Sequence, residues 1–225
     1  MKRILAPLLF GLIGAGILVW LGTWQIQRLA WKQGILSEIE STISGDPIPL
    51  PAQPAPENDR YKPVNLTGTI GPGELHVLMS IKQVGAGFRI IAPLTLDDGR
   101  KVLLDRGFVP VEDKTKTRRI GQVTVSGNLH WSDDRNSSTP DNDVNKNMWF
   151  ARDLDQMAAQ LGTEPVLIVA RRETPADPGL RPVPVDTAGI PNDHLQYAIT
   201  WYSLAVVWLI MTAYFIRRTL KPKEA

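Results

Sequence analysis

Two uncharged stretches decide the fold: ILAPLLFGLIGAGILVWLGTWQIQ at residues 4–27 and LQYAITWYSLAVVWLIMTAYFI at residues 195–216. At the helical rise they span roughly 36 and 33 Å, against a hydrocarbon core of about 30 Å. Each therefore reads as a transmembrane helix, set at 4–27 and 194–216, rather than as a buried core helix. The first run is longer than the apolar core of a secretory signal, and no A-x-A cleavage site follows it. It is expected to remain as an anchor.

The charges segregate around these helices. Lys2, Arg3, Arg217, Arg218, Lys221 and Lys223 face only Glu224 in the two tails, so residues 217–225 form a basic tail. The stretch from Arg28 to Asp193 carries 19 Lys+Arg and 22 Asp+Glu. The positive-inside rule then puts both termini in the cytoplasm and the middle of the chain across the membrane. Only three residues precede the first apolar run. That leaves no room for an amphipathic import sequence, so the expected location is a bacterial inner membrane, with the main domain periplasmic.

Working inward, Trp31, Ile35, Ile39 and Ile43 recur every fourth residue and suggest that helix continues over 28–44. Residues 45–60 hold Pro47, Pro49, Pro51, Pro54 and Pro56, and residues 174–193 hold Pro175, Pro178, Pro182, Pro184 and Pro191. Both read as extended linkers outside the core. They bracket a unit at 61–173 that reads mostly as strands. Leu75, Val77, Met79 and Ile81 alternate, as do Phe88, Ile90, Ala92 and Leu94, and Val123, Val125, Leu129 and Trp131, the last set with Thr124, Ser126, Asn128 and His130 on the other face. Period two with one polar face marks antiparallel strands. Lys101–Val109 and Val166–Val169 are more uniformly apolar and should be central. Asp98-Gly99 suits a hairpin turn. Asp153, Gln156 and Gly162 frame a short helix by a capping box and a glycine stop. The fold class is thus an α+β membrane protein, with two terminal transmembrane helices flanking a mostly antiparallel β domain that carries one or two short helices.

The composition excludes several chemistries. There is no Cys, which removes disulfide frameworks, zinc ribbons, iron–sulfur clusters and thiolate copper carriers. A net charge of +2 argues against a nucleic-acid partner. No G-x-S-x-G, H-E-x-x-H, P-loop or dinucleotide-binding fingerprint occurs, so no catalytic residue is assigned and the chain is not expected to be an enzyme. His76 and His130 read as ordinary half-exposed histidines on strands.

The informative residues gather where the helices meet the middle domain. His194 opens the second helix, and Tyr197 and Trp201 follow on its face; the first helix reaches the same boundary with Trp24, Gln25, Arg28 and Trp31. An aromatic belt at headgroup depth accounts for the rings. It accounts less well for an imidazole. A neutral imidazole there is a candidate axial ligand to haem iron, with aromatic faces to cover a porphyrin and a guanidinium for its propionates.

Three motifs carry a family resemblance: LGTWQIQR at 21–28, LLDRGFVP at 103–110 and NDHLQYAITW at 192–201. In order, spacing and two-anchor layout the chain resembles the surfeit locus protein 1 family of cytochrome c oxidase assembly factors. Phe108 stands where Trp is common in the family, and Tyr202 where Phe is common. The resemblance implies a non-catalytic chaperone in respiratory-chain biogenesis, a bacterial member that binds heme a as cargo and aids its delivery to the oxidase catalytic subunit. His194 is the haem-iron ligand it suggests, with Tyr197, Trp201, Arg28 and Trp24 completing the cofactor site. Implied partners are the catalytic subunit, heme a synthase and the membrane. The alternative is a cofactor-free scaffold that holds oxidase subunits or the synthase. For the LDRG stretch the expected role is structural: a strand ending in a turn, with Arg106 paired to a carboxylate.

Overall fold

In a computed structural model the described residues are 2–220, so the end of the basic tail, including Lys221, Lys223 and Glu224, lies outside them. The chain divides into two compact units, one built from the terminal segments up to Glu38 and from Thr187, the other from Ile39–Asp186.

The terminal unit contains α1 (Lys2–Ile43) as far as Glu38, its last turn belonging to the second unit, and a last helix that closes the chain (His194–Leu220). Both are long and apolar enough to cross a membrane, and in their most apolar windows only 11% and 6% of residues are buried inside the protein. Apolar side chains facing outward are what a lipid solvent requires, and a soluble core helix would hide them. Beyond the first membrane run α1 continues to Ile43, but only half of the every-fourth stripe is covered: Ile39 is partly covered and Ile43 is buried. Trp31 is 55% exposed and Ile35 39% exposed, whereas Leu29, Lys32, Leu36 and Ile39 are partly covered. Four residues turn a helix through about 400°, so an i+4 series drifts off one face, while alternating steps of four and three hold it.

The second unit holds α2 (Pro56–Asp59), β1 (Pro63–Ile70), β2 (Leu75–Ile81), β3 (Gly85–Leu96), β4 (Lys101–Pro110), β5 (Gly121–His130), α3 (Leu154–Leu161) and β6 (Leu167–Thr174). The closing helix is α4. The sheet order is β1-β5-β6-β4-β3-β2, and β1 also pairs with β3 through Gly68↔Leu96 to Ile70↔Leu94. That extra pairing closes five strands into a barrel and leaves β2 on its outside. All pairs are antiparallel except β4–β6, which run parallel at Leu103↔Leu167. β4 and β6 are central, as their uniform apolarity requires.

Alternation sorts the side chains. Val64, Leu66, Leu94, Leu104, Val125, Leu129 and Ile168 fill the barrel, while Leu103, Ile91 and Leu167 point outward under Trp149, Met157 and Ala158. Trp149 is fully buried, and its backbone pairs with β2 through Trp149 N–H to the His76 carbonyl (3.0 Å) and Leu78 N–H to the Trp149 carbonyl (2.7 Å). The polar stretch before it thus returns to cover an open sheet edge.

Both Pro-rich segments depart from their reading as free linkers. Ile48 donates its N–H to the Pro63 carbonyl at 2.9 Å, and Ile48 and Leu50 pack on the barrel core. Arg181 exchanges two backbone hydrogen bonds with Phe108, at 2.8 and 3.0 Å, while Leu180 and Val185 join the outer apolar clusters. Proline removes a donor and fixes φ, but the residues between prolines remain free to pair. The LDRG stretch is not a strand end either. β4 runs through it, with Ile90 opposite Gly107 and Ile91 opposite Asp105, so Arg106 is the extra residue of a β-bulge. Gly107 takes φ +110, and a Cβ there would lie 2.2 Å from the Arg181 carbonyl oxygen. The short helix α3 starts at Asp153, but without a capping box: the Asp153 carboxylate takes Arg135 (2.6 Å) and Asn142 (2.6 Å), and Gln156 also binds Asn142 (3.0 Å). Gly162 ends it at φ +66 as expected.

Candidate functional site

The site region lies within the terminal unit, between α1 and α4. Gly11, Ala15, Gly22 and Gln25 are buried on α1, with Gly14 and Leu18 partly so. On α4, Ala198 and Ala205 are buried, and His194, Trp201, Trp208 and Thr212 are partly so. Both sets follow steps of four and three, which keep one seam in register along an antiparallel pair. The seam is made of small residues opposite large ones. A Cβ on Gly11 would fall 2.2 Å from Thr212, one on Gly14 2.5 Å from Trp208, and one on Gly22 2.8 Å from Tyr202. Lipid gives no hydrophobic drive between helices, so close backbone approach and hydrogen bonds must hold them. The bonds are present: Trp208 Nε1 donates to the Gly11 carbonyl at 3.0 Å, and the Thr23 and Tyr202 hydroxyls lie 3.1 Å apart.

At one end of this seam, Gln25 Oε1 lies 2.7 Å from His194 Nδ1. Beyond it Lys32 donates to the Pro191 carbonyl. Among the described residues Gln25 is the only polar partner of the His194 side chain. Trp201 shares the inward face of α4, seven residues on from His194. Tyr197 and Trp24 are 55% and 44% exposed and turn outward. Arg28 is exposed, its guanidinium 4.4 Å over the Trp31 ring, and among the described residues no carboxylate pairs with it. So Gln25 is the residue held directly to His194, while Tyr197, Trp24 and Arg28 line the open faces beside it. The 4-3 spacing of Gly11, Ala15, Leu18, Gly22 and Gln25 was the sequence signal that could have placed Gln25 on the seam.

The other two histidines sit in the barrel unit and are more enclosed than half-exposed. His76 is 9% exposed; its Nε2 lies 2.7 Å from Glu74, and its Nδ1 is sealed without a partner. His130 Nδ1 is likewise sealed, and burial, with the nearby Arg152 charge, pushes its pKa down to about 4. Arg106 is 2% exposed and binds Glu173 through both Nε (3.0 Å) and Nη2 (2.8 Å), with Asp177 at 3.5 Å and the Arg119 carbonyl at 2.9 Å. The bulge turns this side chain away from its fully buried neighbour Asp105, whose carboxylate faces Arg89 and, at 3.6 Å, Arg152. These groups are fully engaged with one another, which is how a structural network looks.

Together, these features define a membrane-anchored β-barrel protein with a polar pair at one end of its helical hairpin. The SURF1 family model matches residues 12–206, and the chain belongs to that family. It is 32% identical to Surfeit locus protein 1 of Rattus norvegicus, over 88% of this chain and 72% of the relative. Against Surfeit locus protein 1 of Homo sapiens the identity is also 32%, over 82% and 69%. Against a SURF1-like protein of Monosiga brevicollis it is 34%, over 88% and 82%. Family membership supports a role in cytochrome c oxidase assembly and suggests a non-enzymatic one.

Proposed function

We propose that this protein binds heme a through His194 and aids its delivery to the oxidase catalytic subunit. The observation that carries the reading is the state of the three imidazoles. His76 has one nitrogen on Glu74 and the other sealed; His130 has a sealed, unpartnered Nδ1, and its Nε2, although unbonded among the described residues, sits on a barrel strand and not on a membrane helix. His194 has Nδ1 occupied by Gln25, and among the described residues its Nε2 is neither bonded nor one of the sealed polar atoms. A lone pair on that nitrogen fits an iron that brings four ring nitrogens of its own. It suits a bare ion less well, since no group of three or more His, Asp and Glu gathers among the described residues. Tyr197 and Trp24 offer exposed aromatic surface beside it, Trp201 backs the same turn of helix, and Arg28 supplies a cation for carboxylate groups. Bound there, the haem would be cargo, and the chain's own work is to hold the iron by one neutral nitrogen and release it to a partner.

We infer from the basic residues that flank the helices that both termini lie on one side of the membrane and the barrel on the other; in a bacterial inner membrane, the location we propose, these sides are cytoplasm and periplasm. Partners follow from the same reading: the catalytic subunit as recipient and heme a synthase as donor. The test is an optical spectrum of the detergent-purified protein made in cells that synthesise heme a. Wild type should carry the haem spectrum and His194→Ala should lose most of it at equal protein level. Haem-free wild type would leave the scaffold alternative, in which the chain holds subunits or the synthase without cofactor. A periplasm-dependent reporter fused within residues 133–147 should be active, and one fused after Ala225 inactive; the reverse pattern would overturn the topology.

A further inference from the structure

We propose that Gln25 is a positioning residue for His194, selecting the imidazole tautomer and fixing the ring so that Nε2 faces outward as a ligand. The proposal rests on the haem reading above and adds to it a residue on the other helix. An imidazole without a partner shares its proton between two nitrogens and turns about its side-chain bonds. The nitrogen that carries the lone pair is set by the hydrogen bond the other one makes. Here the Gln25 amide oxygen stands 2.7 Å from Nδ1, so Nδ1–H donates and Nε2 keeps its lone pair. Histidine ligands commonly depend on such an outer partner, and its loss typically weakens binding 10–100-fold.

Three further observations support the role. Gln25 is only 9% exposed, although it lies on a helix whose surroundings are apolar. A buried amide in that setting needs a partner, and His194 is the partner on hand. Second, the seam holds the pair at a fixed separation. About one turn further along, Gly22 lets α4 approach and the Thr23–Tyr202 hydroxyl contact pins it. Third, the barrel histidines lack this arrangement. His76 gives its Nε2 to Glu74, and no acceptor reaches Nδ1 of either His76 or His130.

The experiment uses full-length protein in detergent, labelled with 15N in its three histidines, with His76→Ala and His130→Ala used for assignment. In haem-free wild type, the His194 15N shifts should report a proton on Nδ1. Gln25→Leu should move the proton toward Nε2, and Gln25→Glu should restore the wild-type pattern. In heme a-producing cells, Gln25→Leu should retain roughly tenfold less haem, and Gln25→Glu should retain it with a shifted spectrum, because a stronger acceptor makes the ring a stronger donor. Rescue by Glu separates positioning from mere packing. A proton on Nε2 in the wild type, or an unchanged tautomer and haem load in Gln25→Leu, overturns the role of Gln25. The expected tautomers in a wild type that takes up no haem overturn the reading beneath it, and with it the ligand role, because the tautomer is read without haem.

Discussion

The barrel and the helical hairpin are built on opposite plans. In the barrel unit apolar side chains point inward, and its deepest positions include Val64, Leu94, Leu104 and Ile168, all fully buried. In the hairpin they point outward: Phe10, Trp20, Ile210 and Met211 are each at least 60% exposed, while Gly22, Gln25, Ala198 and Ala205 are buried. Water drives the first arrangement through the hydrophobic effect. Lipid offers no such drive, so the second relies on small residues that let backbones meet and on hydrogen bonds between helices. Polar groups are internal in both, but they differ in kind. The barrel buries full charges against opposite charges, as in Arg106 with Glu173 and Asp177. The hairpin joins its helices without carboxylates, through Gln25 with His194 on the seam and through Thr23 with Tyr202 at its exposed edge.

The sharpest way to break the contrast is to remove one charge from the barrel. Arg106→Met leaves two carboxylates, 7% and 8% exposed, without their cation. The expected loss is about 3–5 kcal/mol, read as a lower urea midpoint by near-ultraviolet circular dichroism of the full-length protein. Adding Glu173→Gln should recover part of it. An unchanged midpoint would show that the buried network contributes nothing.

Next in size is a pH effect confined to the barrel. His130 is held neutral in the fold, with a pKa of about 4, against about 6.5 when unfolded. The folded state therefore binds fewer protons between those values. Its full stability is present above pH 6.5 and is lost progressively as pH falls toward 4, by roughly 3 kcal/mol. Asp134 adds little until the low end of that window: against the burial that would raise it, its bond to Arg152 holds it below the usual carboxylate range, so its contribution is lost mainly below about pH 4. Urea midpoints at pH 7, 5.5 and 4.5 should fall steadily, and His130→Phe should flatten the slope. A slope that persists in that variant would assign the effect to another group.

The hairpin responds to shape instead. Gly14→Leu would drive a side chain into Trp208, already 2.5 Å from the position of its Cβ, and should cost about 1–3 kcal/mol. Gly16 has nothing within 4 Å, so Gly16→Ala should be neutral or gain about 0.5–1 kcal/mol from helix propensity alone. Thermal loss of helical circular dichroism in detergent measures both, and equal effects at the two sites would break the seam assignment. The smallest effect is Tyr202→Phe, which removes only the hydroxyl contact to Thr23 and should cost about 0.6 kcal/mol by the same measurement.

Much of this was legible in the chain itself. Uncharged runs of membrane length can have few other structures, because backbone groups in lipid must bond within their own segment. Alternation marked β2, β3 and β5 as antiparallel strands, and continuous apolarity marked β4 and β6 as central, since a strand covered on both faces has no polar side to show. Three motifs were enough to place the chain beside its family. Tertiary structure alone decided the rest. Barrel closure depends on β1 meeting β3 as well as β5, a long-range pairing that no local pattern encodes. The bulge at Arg106 depends on the register between β3 and β4, and the packing of Ile48, Leu180 and Val185 depends on surfaces far away in sequence. The partnership of Gln25 with His194 spans 169 positions of chain. Each residue shows its chemistry in the sequence, but the distance that makes them a pair exists only once two helices share a seam.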